Sequence, residues 1–99
     1  MKYVLKYESP VELDFTKIRE HFPAHRARWQ AFRDNGSLLM IGPFTDPRQG
    51  ALGIFTTREA AEEFAVADPF VLHGVVASWT VNEWNEALSE DVHSRADGL

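Results

Sequence analysis

The sequence predicts an α+β domain of element order βαββαβ: a four-stranded antiparallel sheet with two helices on one face. Three observations carry that prediction. Four short runs rich in β-branched, aliphatic and aromatic residues lie near 3–7, 37–42, 51–55 and 75–81. Two longer stretches, about 15–35 and 57–67, repeat their apolar residues at helical spacing. The turn-forming segment Thr45-Asp46-Pro47-Arg48-Gln49-Gly50 joins the second and third runs as an antiparallel hairpin. A hairpin between two crossover helices is the split βαβ, or ferredoxin-like, arrangement. Right-handed crossovers place both helices on the same side of the sheet.

Tyr3-Val4-Leu5-Lys6-Tyr7 is short, aromatic and β-branched, and forms the first strand until Ser9-Pro10 breaks it. The first helix starts at Phe15 or Thr16 and runs to Asn35. Asp14 or Thr16 caps it, and Gly36 ends it. Ile18, Phe22, Trp29 and Phe32 form its core-facing stripe, and His25 falls on that stripe. Pro23 lacks an N–H, so a kink is expected, or a short helix followed by a longer one. The run 38–41 is continuously apolar, which predicts a second strand buried on both faces. Ala51–Phe55 is the third strand. Thr56 and Glu59 have the spacing of a capping box for the second helix, with Ala60, Ala61, Phe64 and Ala67 inward. Asp68-Pro69 stops that helix, because a residue before proline avoids helical dihedrals. Phe70 to Gly74 is an apolar turn. The last strand, 75–81, puts Val75, Ala77, Trp79 and Val81 on one face. Residues 1–86 thus form the domain, and 87–99 an acidic, frayed tail.

The composition narrows the function. The 99 residues suffice for one domain and its core. With no cysteine, there are no disulfides or thiolate metal sites, and a cytoplasmic location is the default expectation. The charged start Met1-Lys2 lacks the long apolar run of a signal peptide, and nothing approaches the ~18 apolar residues of a membrane span. A net charge of −5 argues against a nucleic-acid partner. Arg19, Arg26, Arg28 and Arg33 cluster on the first helix, but Glu20 and Asp34 sit among them, as on a solvated face.

His25 is the candidate functional group. An inward imidazole needs a partner. Asp34 is nine residues along the same helix, about 13 Å away at 1.5 Å rise per residue. Asp14 and Asp46 sit in turns. Asp68 ends the second helix on the same sheet face, where the fold can bring it to His25. A carboxylate on one ring nitrogen fixes the tautomer and leaves the other free to exchange a proton. The bland alternatives are a core histidine bonded to a carbonyl and a helix-stop aspartate bonded to its own backbone. His21 should face solvent, His73 sits at a loop tip, and His93 lies in the tail. A His21/His25 metal pair is opposed by the intervening Pro23 and the missing third ligand, so no metal site is expected.

His25-Arg26-Ala27-Arg28-Trp29, Gly36-Ser37-Leu38-Leu39, Gly42-Pro43-Phe44, Ala67-Asp68-Pro69-Phe70-Val71 and Gly74-Val75 occur in that order. Together they resemble the YCII-like family over residues 2 to 85. The resemblance implies a dimeric α+β barrel, two ferredoxin-like sheets face to face, with a pocket carrying His25 and Asp68. One branch of the family resembles dehydrochlorinases of chlorinated ring-cleavage products. The leading expectation is a cofactor-independent lyase or isomerase acting on a small organic acid. In it His25 is the general acid/base, Asp68 orients it, and Gly42, Pro43, Phe44 and Phe70 are wall residues. The alternative is a binding or accessory module using the same pocket without chemistry. The helix-free sheet face, apolar in strands two and four, is expected to pair with a second copy.

Overall fold

Asp14 begins the longest helix of the molecule: its side chain accepts from the Lys17 N–H at 3.1 Å. In the computed structural model, which describes residues 1–92, the elements are as follows. β1 is Lys2–Glu8, α1 Phe15–Asp34, β2 Leu38–Pro43 and β3 Ala51–Phe55. α2 is Arg58–Val66, α3 the single turn Pro69–Leu72, and β4 Ser78–Trp84. A 3₁₀ turn, Pro47–Gln49, lies inside the hairpin loop. α1 continues through Pro23 as one helix, so the expected break does not occur. The proline removes one hydrogen bond, and the packing of Trp29 and Phe32 holds the helix together beyond it. Gly36, at φ +86°, ends it as expected.

The sheet order is β2-β3-β1-β4, antiparallel throughout, which is the ferredoxin-like topology. Register divides the side chains. Leu5 pairs with Gly53 and Val81, and Tyr7 with Ala51 and Trp79, so these share the helix-covered face. Val4, Lys6, Met40, Leu52, Ile54 and Trp84 share the open face. The core lies between sheet and helices: Leu5, Tyr7, Phe32, Leu38, Phe55, Ala61, Phe64, Ala65 and Val76. At its centre Phe32, Phe55 and Phe64 meet with ring centroids 5.3 to 6.2 Å apart. Arg28 reaches across from α1, lies over Phe32, and donates to the carbonyls of Glu63 and Phe64 in the last turn of α2.

Several local expectations change. β2 is an edge strand with a register shift between Leu38 and Met40, and Leu39 and Met40 are exposed rather than buried on both faces. The cap of α2 is Thr57, one residue later than expected, accepting from the Ala60 N–H at 3.1 Å. Ala65 rather than Ala67 faces inward, because the helix ends at Val66 and Ala67 is its exposed C-cap residue. Phe22 is exposed despite its place on the α1 stripe. β4 starts at Ser78, because Val75 to Ala77 are taken up leaving α3. Beyond β4, Glu86 is buried against the Met1 ammonium and Lys2, and Asp91 bonds to Lys2. The described part of the expected tail is therefore tied to β1. His93 and the rest of that tail lie outside the described residues.

Candidate functional site

Asp68 is where three elements converge. Pro69 disfavours helical dihedrals in the residue before it, and Asp68 is extended (φ −65°, ψ 126°) and caps α3, accepting from the Phe70 N–H at 3.1 Å. Its carboxylate is fully buried. From α1, His25 Nδ1 approaches Oδ1 at 2.8 Å and Oδ2 at 3.0 Å. From β1, the Tyr7 hydroxyl donates to Oδ2 at 2.5 Å. Three donors on one buried carboxylate offset the cost of taking it out of water. Facing an acceptor-only group, Nδ1 carries the proton, an assignment made from the hydrogen-bond pattern. Burial, and then the charge of Asp68, push the Tyr7 phenol well above its ordinary range, so Tyr7 remains a donor.

The imidazole is held on its faces as well. The Phe70 ring stacks on it with centroids 3.9 Å apart and planes 7° from parallel. Phe64 meets it edge-on at 6.2 Å. Nε2 has no hydrogen-bond partner among the described residues, and the ring lines a cavity of about 410 Å³. That volume is in the range of small-molecule sites. The cavity lies between α1 and the helix-covered sheet face, walled by Leu5, Ile18, Phe22, Trp29, Ile41 and Val76 among others. With Nδ1 fixed and Nε2 open, the geometry suits proton transfer to or from a molecule in the cavity.

The structure thus brings His25 and Asp68 together. Gly42, Pro43 and Phe70 line the same cavity. Phe44 does not. It lines a groove on the open face with Met40 and Trp84, because one residue beyond Pro43 the side chain turns to the other side of the sheet. Tyr7 is a further residue of the site, not among those expected from the sequence. The signal was there: the β1 alternation puts it on Leu5's face, where a buried phenol needs a partner. His21 and His73 are expected from the sequence to face solvent and to sit at a loop tip. They stack on each other with centroids 3.9 Å apart, joining α1 to the end of α3.

Comparison with known proteins bears on this geometry. The model of the YCII-related domain matches residues 1–85. Protein YciI of Escherichia coli O6:H1 and Protein YciI of Shigella flexneri are each 42% identical over 79 residues. Each match covers 67% of this chain and 79% of the relative. Among solved structures, the chain resembles 5-chloro-2-hydroxyhydroquinone dehydrochlorinase (TftG) from Burkholderia phenoliruptrix AC1100, in complex with 2,5-dihydroxybenzoquinone. The TM-score is 0.68 at 19% identity, over 86% of this chain and 94% of that one. At that identity the likeness speaks for the fold.

Proposed function

The chain belongs to the YCII-related domain family, and from that premise we propose that it is a small-molecule enzyme working by proton transfer, with His25 as general acid/base. Nε2 takes a proton from a carbon beside a carbonyl or enol. The electron pair left on carbon either expels a leaving group at the neighbouring position or shifts along a conjugated system. In the first case the products are an unsaturated compound and the departed anion. In the second, the proton returns from Nε2 to another carbon. Asp68 stabilises the imidazolium that forms between these steps, and Tyr7 holds Asp68. No cofactor takes part in this scheme. The observation that carries it is the oriented imidazole: Nδ1 tied at 2.8 Å to a buried carboxylate, Nε2 without a partner among the described residues and at an apolar cavity. The dehydrochlorinase that shares the fold agrees with an elimination.

The test is solvent deuterium exchange into ring-sized carbon acids, followed by NMR, together with a screen of chlorinated enones, lactones and hydroquinones for halide release. His25→Ala should lower any turnover by about 10²- to 10⁴-fold. Asp68→Asn should lower it by roughly 10²-fold or more, by presenting the wrong tautomer. Binding with neither exchange nor turnover would favour a non-catalytic binding module.

We also propose that two copies pair through the open face. The apolar side chains there, including Met40 at 69% and Trp84 at 48% exposure, have no cover among the described residues. Light scattering should give twice the mass of the 99-residue chain. Met40→Asp should reduce it to the single-chain value.

A further inference from the structure

Building on the cavity's role as a substrate site, we infer that its substrate is an uncharged, ring-sized molecule and that carboxylates are excluded. The walls supply aromatic and aliphatic surface: Ile18, Phe22, Trp29, Ile41, Phe70 and Val76. Their polar neighbours are already committed. The Tyr7 hydroxyl donates to Asp68, and Ser9 Oγ donates to the Pro47 carbonyl at 2.6 Å. Glu8 is paired at 3.1 Å with Lys6, which shares its sheet face. Of the ionisable side chains at the cavity, His25 keeps a ring nitrogen, Nε2, without a partner among the described residues.

Charge decides the class. Among the described residues, no Lys or Arg side chain lines the cavity. Arg28, the cation that α1 turns toward α2, is spent on the carbonyls of Glu63 and Phe64. When the imidazole is protonated, its charge is already matched by the Asp68 carboxylate 2.8 Å away. A carboxylate entering here gives up its water and finds no counter-cation among the described residues. A neutral ring gives up little and gains contact with aromatic walls. An apolar cavity of about 150 Å³ holds benzene, so about 410 Å³ accommodates a substituted ring. Uncharged rings such as phenols, enones and lactones therefore take the place of the expected small organic acid.

Benzamide and benzoate, matched in size and shape, are the probes. Each is titrated into the full chain at neutral pH, with the His25 ring and Trp29 indole signals followed by NMR. Benzamide should shift both signals, and benzoate should bind about tenfold more weakly or worse. Leu13→Lys places a cation on the half-buried loop residue at the cavity wall, outside every helix and strand. It should raise benzoate affinity relative to that of benzamide, because the added ammonium meets only the carboxylate. Benzoate binding the unaltered chain as tightly as benzamide, or neither probe shifting His25, would overturn the inference. Neutral-over-carboxylate preference with no turnover of any carbon acid would support it, and would remove the enzyme reading alone.

Discussion

Tyr7 shows how much one side chain carries in this site. Its hydroxyl supplies one of three donors to a carboxylate with no access to water. Tyr7→Phe keeps the ring in the core and leaves that carboxylate one donor short. The expected cost is about 1.5–3 kcal/mol of stability, read by urea unfolding. The same residue sets an alkaline limit. Its folded-state pKa is raised above the ordinary 10.0. The unfolded chain therefore loses that proton first as pH rises, and stability present below pH 10 declines above it. Melting temperatures in Tyr7→Phe should fall less steeply above pH 10 than in the unaltered chain. At this scale the sequence was partly legible. The stripe on α1 pointed His25 inward, and the shared sheet face nominated Asp68. Tyr7 is placed inward by the β1 alternation, but nothing local says that its hydroxyl meets Asp68, 61 residues away. Phe44 misled because conformation beyond a strand end decides which face a side chain takes.

The elements were more legible than their ends. Period and turn chemistry placed α1, β3 and the hairpin, since each is specified within its own stretch. The start of α2 was misplaced by one residue because Thr56 and Thr57 both suit a cap, and tertiary packing of Ala61, Phe64 and Ala65 chooses between them. Thr57→Ala should cost about 1 kcal/mol, whereas Thr56→Ala should be nearly neutral, both measured by chemical denaturation. β2 was misjudged because apolar residues on an edge strand look the same in sequence as those on a central one. Gly50 marks a tighter constraint. At φ +89°, a Cβ there would collide with the Tyr7 carbonyl. Gly50→Ala should therefore destabilise the hairpin where it borders the cavity, seen as a lower melting temperature and shifted His25 signals.

At the scale of the molecule, the segment after β4 closes onto the start of the chain. Lys2 bonds to both Glu86 and Asp91. The hydrogen bond from Lys2 holds the Glu86 carboxyl at about 2, against an ordinary value of 4.5, with the Met1 ammonium adding to the effect. A depressed carboxyl contributes stability above its unfolded value, and that contribution is lost as pH falls through the folded one. Melting temperature should therefore drop between pH 4.5 and about 2, and Glu86→Gln should flatten that slope. The overall topology was readable because six elements in this order leave few chiral arrangements. The Lys2–Glu86 closure was not, since it joins the two ends of the described chain.

β1 lies inside the sheet, hydrogen-bonded to β3 on one side and β4 on the other, and it carries Tyr7. Amide protons along such a strand exchange only when the whole domain opens. Loss of ligand recognition on heating should therefore coincide with global melting, with no earlier, separate inactivation step. A compound that occupies the hollow beneath α1 should delay both together.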